Sequence, residues 1–336
     1  MSPAEALRRI AYLLEAEGAD SYKARAFRRA ATVVDATPAA ELRRLDEQRR
    51  LESLPGVGKS TAAVIAEALA GSVPAYLQAL EDEAQTLPAS PARVLFEALR
   101  GDCHSHSDWS DGGSSIEEMA RAAAELGRDY LVLTDHSPRL TVANGLSADE
   151  LRRQLDVVAE LNESLAPFRL LTGIEVDILD DGLLDQEEDL LAALDVVVAS
   201  VHSKLRMEAA EMTTRMTIAV ENPHVDILGH CTGRRIIGRG RPQSTFDHEA
   251  VFAACQRSGT AVEINSRPDR RDPPEDLLRV AAAAGCQFSI DSDAHAPGQL
   301  SWIRLGCEQA VEAGVPPSSI VNTKPLEDLL AWAKAR

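Results

Sequence analysis

His104 and His106 stand two residues apart in the run Asp-Cys-His-Ser-His-Ser. In an extended strand that spacing turns both rings to one face. The chain has eight histidines. Six of them, His104, His106, His136, His202, His230 and His295, fall at or just beyond the ends of apolar, β-branched runs. His224 and His248 fall elsewhere and read as ordinary surface residues. Asp111 in Ser-Asp-Gly, Glu175 in Gly-Ile-Glu-Val-Asp-Ile and Asp293 in Ser-Asp-Ala-His occupy matching places. A lone histidine at a strand end is ordinarily a hydrogen-bonded polar residue. The coincidence of six is what points to metal. Nitrogen and oxygen donors without a thiolate suit Zn²⁺, Mn²⁺ or Fe²⁺. Nine donors exceed one ion's needs, so two or three divalent ions are expected. Such ions, about 3.5–4 Å apart, activate water and clamp phosphate oxygens, with no Ser or Cys nucleophile. Arg234 and Arg267 follow donor-bearing segments and are candidates to grip phosphate. Surface ion pairs are the alternative for both. Asn265 shares a strand face with Glu263 and Arg267, and the trio takes a secondary catalytic role.

The elements that must position these groups follow a strand-then-helix rhythm from Gly101 onward. Seven β-rich runs are expected at Asp102–His106, Tyr130–His136, Leu170–Ile178, Val196–His202, Val225–His230, Ala261–Ser266 and Gln287–Asp293. Helical patterns lie between most of them, as at Ser115–Leu126, Ala148–Leu161, His248–Ser258, Pro274–Ala284 and Gln299–Ala313. Alternation of this kind implies parallel strands with right-handed crossovers. A (β/α) barrel suits seven units better than an open doubly wound sheet, which is the alternative. A parallel barrel gathers its strand C-termini in one mouth, where all nine donors would meet.

Residues 3–85 read as helices only: Ala4–Glu17, Ser21–Ala36, Pro38–Arg50, Ser60–Leu69 and Ala75–Ala84. The turn Leu54-Pro55-Gly56-Val57-Gly58 precedes the fourth. The expected organisation is a small all-α domain over 1–85, a linker over 86–99 and the barrel over 100–336. Thr86–Pro91, with two prolines, marks the linker.

Charge divides along the same line. Of the chain's 336 residues, the first 85 hold 11 Lys+Arg against 13 Asp+Glu. The remainder holds 24 against 40, within a net charge of −18. An acidic barrel repels nucleic acid except where bound cations neutralise it. Residues 21–50 are locally basic, with eight Lys+Arg against four acids. A hydrophobic content of 45% and a charged content of 26% are those of a globular chain, and they exclude a disordered or fibrous one. No apolar run is long enough for a membrane span, and no signal peptide is read at the N-terminus. The five scattered cysteines suggest reduced, buried thiols in a cytoplasmic protein.

The segments Asp-Cys-His-Ser-His-Ser, Leu-Thr-Asp-His-Ser, Gly-Ile-Glu-Val, Ser-Val-His-Ser, Leu-Gly-His, Glu-Ile-Asn and Asp-Ser-Asp-Ala-His recur in an order that resembles the polymerase and histidinol phosphatase (PHP) family. The resemblance covers residue 100 to about residue 315. It implies a distorted (β/α)₇ barrel with a trinuclear site. His104, His106, Glu175 and Asp293 would hold one metal, and Glu175 would bridge to a second with His202 and His230. Asp111, His136 and His295 would hold the third; some members have His at the Asp111 position. Thr134-Asp-His-Ser-Pro138, His230-Cys-Thr-Gly-Arg234 and Glu263-Ile-Asn-Ser-Arg267 resemble the branch fused to bacterial family X DNA polymerases. That branch is associated with Mn²⁺-dependent 3′–5′ exonuclease activity.

Ala26-Phe-Arg-Arg-Ala-Ala31 and Leu54-Pro-Gly-Val-Gly58 resemble the helix-hairpin-helix N-terminal domain of the DNA polymerase beta family. The resemblance implies that Gly56, Val57, Gly58, Lys59 and Ser60 hold a DNA phosphate through backbone N–H groups. Lys23, Arg25, Arg28 and Arg29 would add basic contacts. The position of the lyase lysine in those relatives falls on Val64, so Schiff-base chemistry is not expected. No set of polymerase aspartates is left over, so no DNA synthesis is expected. Gly58-Lys59-Ser60 is not a phosphate-binding P-loop, because Ser53 stands where its first glycine must be.

These readings converge on a metal-dependent phosphoesterase at DNA ends, a 3′–5′ exonuclease or 3′-end processing enzyme of DNA repair. Its partners would be DNA, through the N-terminal domain, and a phosphate ester. A small-molecule phosphatase of the histidinol-phosphate or nucleotide kind uses the same mouth and fits the acidic barrel, but leaves the helical domain idle. A silent DNA-binding scaffold is the third reading, and the complete donor set weighs against it.

Overall fold

The computed structural model describes residues 1–18, 21–84 and 89–335, the side chain of Ser21 excepted. The chain separates into two compact units, Met1–Thr86 and Leu87–Arg336.

The first unit is helical. Helix α1 (Pro3–Ala16) opens on a capping box between Ser2 and Glu5. It packs against α2 (Ser21–Ala36), α4 (Lys59–Leu69) and α5 (Ala75–Glu83), while α3 (Ala39–Glu47) lies between α2 and the hairpin. Leu7, Ile10, Leu14, Phe27, Ile65 and Leu77 form the core. Between α3 and α4 the chain turns at Gly56, whose φ of 75° lies in the left-handed region. A Cβ there would also stand 2.9 Å from the Arg29 stem.

The second unit is a parallel sheet of seven strands in sequential order. The strands are β1 (Gly101–Asp102), β2 (Tyr130–Leu133), β3 (Arg169–Asp177), β4 (Val196–Ser200), β5 (Ile227–Leu228), β6 (Ala261–Asn265) and β7 (Phe288–Asp291). Helices α7 (Ile116–Glu125), α8 (Ala148–Leu165), α9 (Glu188–Leu191), α10 (Ala209–Val220), α11 (His248–Ser258), α12 (Glu275–Ala283) and α13 (Ile303–Ala313) alternate with them. The helix α14 (Leu326–Lys334) follows. A parallel bridge between Ser105 and Ala294 joins the two ends of the sheet on the mouth side. At the opposite end Asn322 spans the seam. Its Nδ2 donates to the carbonyls of Gly101 (3.1 Å) and Ile290 (2.6 Å), and its Oδ1 accepts from the Ile290 N–H. The result is a nearly closed seven-stranded parallel barrel, not an open sheet.

Period-two alternation divides the strands between two cores. Tyr130, Val132, Leu171, Val196, Val198 and Ile227 fill the interior together with Val321 and Leu329. Ile174, Val176, Val197, Ala199, Val262 and Ile264 face the helices instead. The inward parity continues through Glu175 and Asp177 on β3 and through Glu263 and Asn265 on β6.

Two expectations change. The stretch 86–99, expected to be linker, holds helix α6 (Pro91–Ala98), which packs on α13. Pro91 starts this helix, and the Ser90 hydroxyl caps it by accepting from the Arg93 N–H. Residues 86–88 of that linker lie outside the described residues. The strands also end earlier than expected, since β1 stops at Asp102 and β5 at Leu228. Past those points side chains take over from the ladder. The Ser107 N–H donates to Asp135, His202 N–H to Asp177 and His230 N–H to Glu263.

Candidate metal centre

Glu175 stands at the centre of the barrel mouth, 1% exposed. Its Oε1 lies 2.8 Å from His230 Nε2 and 3.2 Å from His202 Nε2. Its Oε2 lies 2.9 Å from His136 Nδ1, 3.4 Å from His104 Nε2 and 3.6 Å from His106 Nε2. A second focus forms around Asp111, whose Oδ1 lies 3.4 Å from His136 Nε2 and 3.3 Å from His295 Nε2. Asp293 Oδ1 lies 3.4 Å from His106 Nε2 and 3.6 Å from His295 Nδ1. The structure therefore brings all nine expected donors together. Three subsets have ligand atoms mutually within 4.8 Å: His106, Asp111, His136 and His295; His104, His106 and Glu175; and His136, Glu175 and His202.

Local sequence explains the placement. The Asp111 loop folds tightly because Gly112 donates its N–H to the Ser107 carbonyl, and a Cβ at Gly112 would lie 2.5 Å from that oxygen. Asp293 adopts φ 51°, a left-handed conformation that aspartate tolerates better than most residues. Asp135, beside His136, accepts from the Ser107, Ser110 and Gln154 side chains and so ties the His104–Ser110 segment to α8.

The donor set fits divalent metal. Nε2 of His104, both ring nitrogens of His106 and Nδ1 of His136 and His230 are buried without a well-formed hydrogen bond, although carboxylate oxygens stand 2.9 to 3.4 Å from three of them. Buried polar atoms are normally satisfied, so a concentration of such imidazole nitrogens calls for a cation. Electrostatics prepare the same groups. Burial and the neighbouring His295 and His136 hold His106 well below the usual imidazole range, and the neutral ring is the form that ligates. Burial pushes the Glu175 carboxyl up, but His202, His104 and His136 outweigh it and hold Glu175 ionised. Asp293 is likewise held down against its burial by Arg267 and His104.

Behind these donors stand Glu263, expected in a secondary role, and Asp177, which the strand-end pattern did not single out. Glu263 Oε1 lies 2.6 Å from His104 Nδ1, and Asp177 Oδ1 lies 3.2 Å from His202 Nδ1. Each fixes a ring so that the opposite nitrogen faces the centre. The signal was present, because Glu175 and Asp177 are two apart on one strand, as are Glu263 and Asn265. Arg270 was also missed. It is 7% exposed, and its Nε lies 3.4 Å from Asp293 Oδ2.

The other expected catalytic groups divide. Asn265 Nδ2 donates to Asp293 Oδ2 (3.0 Å) and Glu263 Oε2 (3.2 Å). Arg267 Nη1 lies 3.6 Å from Asp293 Oδ1 and 3.0 Å from His295 Nδ1. Arg234 is a correction. Its guanidinium donates to the backbone carbonyls of Arg270 and Arg271, so it braces that loop instead of gripping a phosphate.

In the helical unit Gly56, Gly58, Lys59 and Ser60 are exposed at the start of α4, where a glycine N-cap leaves the first amides without a side-chain cap. Lys23, Arg25 and Arg29 are exposed on α2, with Lys23 Nζ 4.6 Å from the Tyr76 ring centre. Two expectations are corrected here. Arg28 is buried and paired bidentately with Glu15, both bonds at 2.6 Å, so it cannot reach DNA. The Val57 side chain is buried in the helical core and its N–H donates to the Leu54 carbonyl at 3.1 Å, so it offers a ligand no free donor. Val64 is buried too. All five cysteines are buried free thiols, and no helix among the described residues is long and apolar enough to cross a membrane.

The family described as "Helix-hairpin-helix domain" matches residues 2–72, and that described as "PHP domain" matches residues 102–267. The interval between them has no room for a polymerase catalytic domain. The DNA polymerase/3′-5′ exonuclease PolX of Bacillus subtilis (strain 168) is 36% identical over 262 residues, which cover 78% of this chain and 46% of that protein. The chain thus spans about half of that relative's length. A protein of Thermoanaerobacter sp. (strain X514) named probable phosphatase is 30% identical over 233 residues, 66% of this chain and 89% of that one. Among solved structures, histidinol phosphate phosphatase of Lactococcus lactis subsp. lactis Il1403, complexed with zinc, L-histidinol and phosphate, matches with a TM-score of 0.46. Identity is 17%, with 65% of this chain and 95% of that one covered.

Proposed function

The chain belongs to the PHP family of phosphoesterases, and from that premise we propose that it hydrolyses phosphate esters at DNA ends, as a 3′–5′ exonuclease or 3′-end processing enzyme. The single observation that carries the hydrolytic part is the set of buried imidazole nitrogens without a well-formed hydrogen bond around Glu175. The likeness to PolX and the exposed glycine turn before α4 support DNA as the substrate.

In this reading His104, His106, Glu175 and Asp293 would hold one divalent ion, and Glu175, His202 and His230 would hold a second. Asp111, His136 and His295 would hold a third; His106 and His136 each belong to two of the groups whose ligand atoms lie close together. Such ions supply Lewis acidity, drawing the pKa of a water toward about 7 and neutralising phosphate charge. The chain's own residues do the rest. Glu263 and Asp177 orient His104 and His202. Arg267, at the rim, binds a non-bridging phosphate oxygen, and Arg270 supports Asp293 from behind. Asn265 fixes the Asp293 carboxylate in place. The amides at the start of α4 hold a backbone phosphate without reading bases.

The test is a 5′-labelled primer–template incubated with the full chain and Mn²⁺, alongside His104→Ala/His106→Ala. Shortening from the 3′ end that the double variant lacks is the expected result. Full-length product from metal-loaded protein would defeat the reading. A small-molecule phosphatase is the second reading, favoured by the acidic barrel and by the likeness to the probable phosphatase. Release of inorganic phosphate from nucleotides or histidinol phosphate, with DNA left intact, would select it.

A further inference from the structure

Residues 233–243, Gly-Arg-Arg-Ile-Ile-Gly-Arg-Gly-Arg-Pro-Gln, carry four arginines and no acid inside an otherwise strongly acidic unit. The segment begins three residues after His230, so it springs from the barrel mouth. It is a built arm. Arg235 and Arg241 pair antiparallel, their N–H groups donating to each other's carbonyls at 2.9 and 2.8 Å. Arg241 Nε donates to the Gly233 carbonyl at 2.6 Å and closes the base. The arm is also tied to the loop that carries Arg267. The Ile236 N–H donates to the Asp269 carbonyl at 2.7 Å, and Arg235 Nε lies 3.6 Å from the Asp269 carboxylate.

The tip has no comparable internal role. Ile236 and Ile237 are 52% and 59% exposed, adjacent, and followed by Gly238 and Gly240, both at positive φ. Arg239 is exposed between those glycines and meets no carboxylate among the described residues. A pair of exposed isoleucines beside an unopposed guanidinium is poorly explained by stability. It matches what a nucleic-acid end presents: phosphates beside a terminal base that can be unstacked. Apolar side chains such as isoleucine insert at base steps, and arginine grips phosphate.

We infer that the 233–243 arm is a strand-end clamp, with Arg239 on a backbone phosphate and Ile236 and Ile237 against the terminal base at the barrel mouth. The inference rests on the DNA-end reading above and adds a residue-level contact outside the metal centre. Arg234, Arg235 and Arg241 hold the arm's shape; Arg239 and the two isoleucines meet the strand.

The experiment measures binding of the full chain to a fluorescent primer–template whose 3′-terminal linkages are phosphorothioates, so that it is bound without being shortened. Affinity is read between about 50 and 200 mM salt. Arg239→Ala is expected to weaken binding about tenfold and to reduce the log–log salt slope by about one. Ile236→Ser/Ile237→Ser should weaken binding to the open end with the slope unchanged, and have no effect on a dumbbell duplex that lacks ends. Unchanged affinity and slope in both variants would overturn the clamp. So would a change in oligomeric state with DNA affinity intact, which would make the arm a protein interface. A wild-type chain that binds ends in this arm-dependent way but never shortens DNA sinks the exonuclease reading and leaves the clamp standing. One that shortens DNA equally well with or without the tip does the reverse.

Discussion

Both units bury charge, and they do so in opposite ways. In the helical unit Arg28 and Glu15 form a closed pair, each guanidinium bond finding its own carboxylate oxygen. In the barrel mouth a central carboxylate is surrounded by five imidazoles, and several ring nitrogens make no well-formed hydrogen bond. The first arrangement is finished by the fold alone. The second is shaped to take a cation, which on binding the folded state would add to its stability. The difference separates a structural ion pair from a functional one more cleanly than burial does, since both are buried.

The comparison breaks most visibly at Glu175. Replacing it with Ala should remove most bound metal, measured by elemental analysis, and take phosphoester hydrolysis to background while the apo fold survives. Glu263→Gln is the graded version. It should keep the donors but weaken metal binding about 10–100-fold, because His104 loses its orienting carboxylate. Arg28→Ala tests the other side. It removes both guanidinium bonds to the buried Glu15 and should cost about 3–5 kcal/mol of that unit's stability. The double change Arg28→Met/Glu15→Leu should recover most of it, read by denaturant titration, because apolar side chains of similar volume can replace a buried ion pair at little cost. Gly56→Ala comes next, at about 1–2 kcal/mol for forcing a side chain into a left-handed turn. It should lower DNA affinity and leave hydrolysis of a small phosphate ester unchanged.

The smallest effect concerns Cys286, whose thiol is pushed up to about 11 by burial and donates to the Phe252 carbonyl. A raised pKa gives stability that is complete below the unfolded thiol's pKa of about 8.5. That contribution fades as pH rises from there through about 11. Native-state alkylation of Cys286 at pH 8 should be slow, and Cys286→Ala should flatten the alkaline limb of the stability profile.

Much of this was legible in the residues, because period-two alternation is a strict rule. It carries Tyr130 and Val132 into the interior and, in the same phase, His136 and Glu175 into the mouth. Arg28 was misread although its signal was present. Ala24 and Ala31 lie four and three residues from it on the buried stripe of α2, so its charge faces inward. Helix α6 was hidden for a different reason. Pro91 reads as a break, but a proline at the first helical position starts a helix. No local pattern could have placed Arg234. Its partners are carbonyls of residues 270 and 271, brought near only by barrel closure.

The Asn322 amide makes barrel closure depend on a residue far from the mouth. Gly101 opens the first strand and Ile290 lies in the last, yet one side chain from the following segment clasps both. The stretch that matches the PHP domain ends at residue 267, whereas the clasp lies 55 residues further on. What can be recognised is thus shorter than what must fold together. A protein trimmed to that segment would keep seven of the nine candidate donors and lose Asp293, His295, the last strand and the stitch that holds that strand to the first.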